Sequence, residues 1–195
     1  MISRHFHKRN LPHLYYNEGL YFVTYRLYGS IHLDELAQLK QSGLNKNSEW
    51  QKELFEKYDS LLDNSANGNE VLLQPEILEI CKSSLQFYDA KEYRLICYCI
   101  MPNHIHLVFD LLSMERIVGD IMKSIKQFSA RRINKILKQE GAFWQAESYD
   151  RLIRDEVELY FIIKYVLMNP VNAGLTDSWR KWKGTYCNPE FEVIE

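Results

Sequence analysis

Read along its 195 residues, the chain runs strand, helix, strand, strand, helix, strand, helix, and that order predicts an α+β protein. The first six elements match the ferredoxin-like β-α-β-β-α-β arrangement, an antiparallel sheet with helices on one face. The seventh is an added C-terminal helix. Two observations carry the prediction. Residues 93–109 read as two apolar strands joined by a three-residue turn, and each of two long segments of helical periodicity follows a strand.

Residues 20–28, Leu-Tyr-Phe-Val-Thr-Tyr-Arg-Leu-Tyr, are β-branched and aromatic and predict the first strand. The stretch 32–74 is charged, poor in β-branched residues and broken by Asn-Lys-Asn-Ser and Asn-Ser-Ala-Asn-Gly-Asn, so it reads as an inserted helical excursion with loops. Pro75 suits a helix start, and Ile77, Leu78, Cys81, Leu85 and Tyr88 recur at helical spacing over 75–88. Residues 93–100 form the second strand, Met101-Pro102-Asn103 the turn, and 104–109 the third strand. A long amphipathic helix is predicted over 115–138 and a short strand over 149–153. The last helix starts near Asp155, with Asp155, Glu156 and Glu158 where the helix dipole favours acids, and is expected to stop at Asn169-Pro170. The whole chain, 1–195, reads as one domain carrying the acidic insertion at about 32–74.

Composition narrows the class. Apolar residues make up 46% of the chain, which favours a folded core over disorder. No apolar run is long enough to cross a membrane, and the N-terminus lacks the apolar stretch of a signal peptide, so a cytoplasmic location is expected. The four cysteines then read as reduced core thiols. Net charge is −2, but unevenly spread: residues 34–92 hold twelve acids and six bases, and the rest holds fourteen acids and eighteen bases. Over 121–139 there are Lys123, Lys126, Arg131, Arg132, Lys135 and Lys138 and no acid. That helix offers a basic side for phosphate, or else a solvated face. His5, His7, Lys8 and Arg9 make a second basic tract, and Phe143, Trp144 and Tyr149 either stack on unpaired bases or pack in the core.

The chemistry concentrates in two places. In His104-Ile105-His106 the alternation of a strand sends both imidazoles to one face and Ile105 to the other. Two neutral imidazoles so placed can share one divalent ion, although the tripeptide alone equally describes two histidines without a metal. On the last helix Tyr165 and Asn169 lie four apart and share a face. An asparagine oxygen can complete a metal site begun by two histidines, and a phenol one turn earlier would stand beside the metal. The same spacing is satisfied by a core tyrosine and a helix-ending asparagine.

Together these stretches resemble the HUH-type single-tyrosine transposases, and within them the REP-associated tyrosine transposases. The resemblance rests on Leu11-Pro12-His13, Tyr21 to Leu27, Met101-Pro102-Asn103-His104-Ile105-His106-Leu107, Phe143-Trp144-Gln145, Tyr149 to Asp155, and Tyr165 through Asn169-Pro170-Val171-Asn172-Ala173-Gly174-Leu175. It implies a metal-dependent nickase and ligase of single-stranded, hairpin-bearing DNA that works through a 5′-phosphotyrosine. It makes Tyr165 the nucleophile and His104, His106 and Asn169 the ligands of Mg²⁺ or Mn²⁺, and it makes a monomer the expected state. Lys123, Lys126, Arg131, Arg132 and Lys135 are the expected DNA contacts. The acidic 34–92 segment would repel DNA and is expected to face away from it. Two other readings compete: a non-catalytic nucleic-acid-binding module on the same sheet, and a zinc hydrolase using the histidine pair with Cys97 or Cys99.

Overall fold

The computed structural model describes residues 5–8, 12–15, 18–31, 34–35, 57–62, 70–112 and 115–192. Its elements in chain order are β1 (His5–Lys8), β2 (Pro12–Tyr15), β3 (Gly19–Arg26), α1 (Pro75–Gln86), β4 (Tyr93–Ile100), β5 (His104–Leu111), α2 (Val118–Leu137), β6 (Tyr149–Leu152), α3 (Glu156–Asn172) and β7 (Thr185–Cys187). Residues 34–35 and 57–62 of the predicted insertion are helical, and most of the remainder lies outside the described residues.

The main sheet is antiparallel, in the order β6-β3-β5-β4-β7. Its first four strands keep the ferredoxin-like order that the sequence predicts, with the two strands of the central hairpin, β4 and β5, paired beside β3. Strand β7 extends the sheet at the β4 edge. Its three residues are too few for a period-2 pattern, which is why it does not stand out in the sequence. Gly184 lets β7 approach: a Cβ there would lie 2.5 Å from the Ile100 carbonyl oxygen, while Ile100 N–H donates to the Gly184 carbonyl at 2.9 Å. A separate hairpin, β1-β2, occupies the segment where only a basic tract is legible.

Period-2 alternation divides the core in two. Tyr21, Val23 and Tyr25 of β3 and Ile105, Leu107 and Phe109 of β5 face α1 and α2. Phe22 and Val108 face the other way, toward α3 and its Ile162, Ile163, Val166 and Leu167. A bulge between Leu95 and Cys97 shifts the alternation of β4, so that Ile96, Cys97 and Cys99 all serve the α3 side. Phe143, Trp144 and Tyr149 are buried. Trp144 donates its indole N–H to Ser129 Oγ at 2.9 Å, so of the two readings for this aromatic group the structure has core packing.

Helix α3 differs from expectation at its end. Asp155 caps it by accepting from the Glu158 N–H at 2.8 Å, but the helix runs through Pro170 to Asn172. So close to the end, Pro170 forfeits only one backbone N–H bond, and its fixed φ suits the helix. The stop is Gly174, in the left-handed region at φ +70°, with Leu175 N–H returning to the Pro170 carbonyl at 2.9 Å.

Candidate active site

The α3-facing side of the sheet holds the histidine pair. His104 and His106 sit two apart on β5, project to the same side, and are 1% and 0% exposed. Register fixes them. The tight turn closes with Met101 N–H donating to the His104 carbonyl at 2.9 Å, and Thr24 of β3 pairs with His106. The Nε2 atoms of the two rings approach to 3.0 Å. Their Nδ1 atoms are engaged outward: His104 Nδ1 lies 2.7 Å from Asn103 Oδ1, and His106 Nδ1 lies 2.8 Å from Thr24 Oγ1. Asn103 Nδ2 donates to the Leu62 carbonyl at 2.9 Å, which orients the amide so that Oδ1 must accept from His104. His104 therefore carries its proton on Nδ1 and turns a lone pair at Nε2 toward His106.

Tyr165 and Asn169 arrive from α3 on the same helical face. The Tyr165 ring meets His106 edge-on at 5.5 Å and Phe22 edge-on at 6.2 Å, while Phe22 stacks on His106. Asn169 Nδ2 donates to the Tyr165 hydroxyl oxygen at 3.1 Å. The structure thus gathers His104, His106, Tyr165 and Asn169 in one place, together with a residue that no motif announces. Asp59, on the helical segment 57–62, accepts a hydrogen bond from the Tyr165 hydroxyl through Oδ2 and a longer one, 3.4 Å, from Asn169 Nδ2. Its Oδ1 lies 3.4 Å from His106 Nε2. The acidic segment does not wholly face away from this site, because its Asp59 is inside it.

Asp59, His104 and His106 form the one group of three among the described residues whose ligand atoms are close enough to hold a metal ion. Three observations fit a divalent cation. Burial, with His106 next to it, pushes the His104 pKa down to about 3, and burial alone pushes His106 down to about 3, so both imidazoles are neutral, as metal binding requires. Two imidazoles bound to one ion at right angles, each ~2.1 Å away, would stand ~3.0 Å apart, as these do. Asp59 Oδ1 and Asn169 Oδ1 are buried and accept no hydrogen bond, leaving oxygens for the same ion. A mixed nitrogen and oxygen donor set suits Mn²⁺ and tolerates Mg²⁺. Cys97 and Cys99 are buried on this side of the sheet but belong to no such group, which removes the thiol that the zinc-hydrolase reading needs.

The buried pair makes stability pH-dependent. Each histidine has a folded pKa below its ordinary 6.5, so below that pH the unfolded chain takes up protons that the folded chain refuses. The metal-free protein should lose about 1.4 kcal/mol per pH unit for each histidine as pH falls from about 6.5 toward about 3. Burial raises the Asp59 pKa, so Asp59 acts oppositely and offsets part of the loss as pH falls through its folded value toward 3.8. Urea midpoints at pH 7.5, 6 and 5 check this; a flat series would mean that the imidazoles ionise in place.

The basic residues lie elsewhere. Lys123, Arg131, Arg132 and Lys135 are on the exposed side of α2, and α2 covers the sheet face opposite the histidines. The Arg132 guanidinium sits over the Phe128 ring at 4.5 Å. Lys126 differs from its neighbours. Its ammonium donates to the Gln145 and Ala146 carbonyls and to Ser148 Oγ at 2.8–3.0 Å, tying α2 to the loop before β6.

Two histidines on a central strand thus face a tyrosine, an asparagine and an aspartate across a helix–sheet interface, a buried group that could hold a metal ion. The chain belongs to the IS200-like transposase family, whose profile matches residues 67–169, a span that includes the histidine pair, Tyr165 and Asn169 but not Asp59. It is 26% identical over 99 residues to a Haemophilus influenzae protein provisionally classed as a REP-associated tyrosine transposase; the match spans 46% of this chain and 56% of that protein. The fold is similar to the structure of a REP-associated tyrosine transposase bound to a REP hairpin, with a TM-score of 0.55 and 13% identity over 86% of this chain and 75% of that one.

Sequence reasoning passed over Asp59, Asn103 and Thr24. The last two fall within the stretches that carry the family resemblance, but an ordinary turn asparagine and strand threonine give no signal of their own. Asp59 is one of twelve acids in its segment, and only the folded chain distinguishes it.

Proposed function

We propose that this protein is a metal-dependent single-strand DNA endonuclease and strand transferase that acts on hairpin-bearing DNA through a 5′-phosphotyrosine intermediate. The observation that carries the proposal is the Tyr165 hydroxyl, hydrogen-bonded to Asn169 and packed against the buried His104–His106 pair. His104, His106, Asn169 and Asp59 would hold Mn²⁺ or Mg²⁺, which when bound polarises the scissile phosphate and offsets charge in the transition state. Tyr165 supplies the nucleophile. Its phenol oxygen bonds to phosphorus and gives up its proton, and the bond to the 3′ oxygen breaks, leaving a free 3′-OH once that oxygen is protonated. The phosphotyrosine conserves the ester for rejoining, so the reverse reaction transfers a strand. A phenol titrates near ~10, so attack at neutral pH depends on this setting. On this reading the protein works on DNA in the cytoplasm as a monomer.

The test is incubation of the protein with labelled single-stranded hairpin DNA and Mn²⁺, followed by denaturing electrophoresis. An adduct that resists denaturant and requires the metal supports the proposal. Binding without adduct or metal dependence would favour a non-catalytic nucleic-acid module.

Phosphate contacts along α2 would anchor the DNA on the far side of the sheet. Changing Arg131 and Arg132 together to alanine should weaken binding to many sequences alike and flatten the slope of log affinity against log salt by about 1–2. An unchanged slope, measured by fluorescence anisotropy from 50 to 300 mM salt (about the range in which counterion release is read), would assign α2 to solvent.

A further inference from the structure

We infer that Asp59, supplied by the helical segment 57–62 and outside the residues that the family profile matches, is a working part of the transposase site, one oxygen serving the metal and the other positioning the Tyr165 nucleophile. The inference rests on the transposase reading. Its evidence is the placement of the two carboxylate oxygens. Oδ2 accepts from the Tyr165 hydroxyl and, at 3.4 Å, from Asn169 Nδ2. Oδ1 is buried, accepts no hydrogen bond, and stands 3.4 Å from His106 Nε2, the nitrogen that faces His104 Nε2. A buried anionic oxygen without a donor is costly, and a cation bound by the histidines would satisfy it. One carboxylate therefore links the metal ligands to the nucleophile and sets the distance between them.

The carboxylate is held there by more than its own contacts. Tyr58, its neighbour, is buried, stacks on Tyr149 at 6.2 Å and reaches the Arg26 guanidinium. Leu62, three residues on, is fully buried and its carbonyl accepts from Asn103, the residue that also fixes the His104 tautomer. Segment 57–62 is thus bolted to both β3 and the histidine turn. A loosely draped surface insertion would have none of these anchors.

The experiment compares the full-length parent with Asp59→Ala and Asp59→Asn. Mn²⁺ affinity is read by electron paramagnetic resonance without DNA, the Tyr165 environment by the ¹³Cζ resonance of labelled tyrosine without metal, and adduct formation with hairpin DNA. Asp59→Ala should lower Mn²⁺ affinity by about 10–100-fold, shift the Tyr165 resonance, and slow adduct formation by about 100-fold or more. Hairpin binding should stay within about twofold, because the α2 contacts lie on the other face. Asp59→Asn keeps an amide oxygen for the phenol and loses the charge. It should restore the Tyr165 resonance and much of the rate at saturating Mn²⁺, with metal affinity still reduced. Unchanged metal affinity together with an unmoved Tyr165 resonance would overturn the inference. So would faster adduct formation in Asp59→Ala, which would make the carboxylate an occupant of the phosphate position. If the parent forms no adduct while the metal and tyrosine readouts respond as stated, the functional reading fails and the placement of Asp59 stands.

Discussion

Tyr165→Phe is expected to fold, bind metal and bind hairpin DNA as the parent does, and to form no covalent adduct. Only one hydroxyl is lost. Its hydrogen bonds to Asp59 and Asn169 make that loss worth about 1–3 kcal/mol of stability, which a domain of this size should survive. Two other tyrosines are near enough in sequence to compete, and both are packed against other partners. Tyr160 lies on α3 but is 38% exposed, its ring against Phe161 on the solvent side of the helix. Tyr149 is buried between Phe22 and Tyr58. Tyr160→Phe should therefore keep the adduct in full. Peptide mapping of the trapped species settles the assignment, and a phosphonucleotide on any tyrosine but Tyr165 would sink it.

Replacing His104 or His106 by alanine is expected to reduce cleavage by at least about a hundred- to a thousandfold while hairpin binding changes by less than about twofold. The two readouts separate because the histidines and the basic side of α2 occupy opposite faces of the sheet. Each imidazole is also a packed core group, so His106→Ala opens a cavity beside Phe22 and Tyr165. Circular dichroism and a urea midpoint taken alongside distinguish lost chemistry from lost fold. A double variant that still cuts at the parental rate would move the metal site off β5 altogether.

The parts of this architecture that the sequence displays are the ones built from periodic patterns. Strands β3, β4 and β5 are continuous apolar or alternating runs, and helices α1 and α2 carry a regular buried stripe, so each shows at its true place within a few residues. The His-X-His spacing and the four-residue step from Tyr165 to Asn169 follow from strand and helix geometry alone, and the structure brings those four side chains together. Three things were illegible for physical reasons. Strand β7 is too short to show a period, and it pairs with β4 only because Gly184 lacks a side chain. The helix end at Gly174 was masked by Pro170, a residue that breaks helices in their interior but is tolerated in a last turn. Asp59 meets Tyr165 across 106 positions of chain, a contact created by tertiary folding and by no local pattern.

The turn Met101-Pro102-Asn103 sets what kinds of change this lineage can accumulate. It joins β4 to β5 so tightly that Met101 and His104 are hydrogen-bonded across it. A strand that slips by one residue turns every side chain over. A single inserted or deleted codon there would send both imidazoles into the packing between the sheet and α1–α2, and would present Ile105 and Leu107 to Tyr165. Such a change would forfeit the core and the histidine site together, with no intermediate to select. Substitutions on the exposed side of α2 leave both the sheet and the histidine pair in place, and on the proposed function would change only how firmly DNA is gripped. Drift among descendants of this protein should therefore be rich in point changes along that helix and devoid of length changes at that turn.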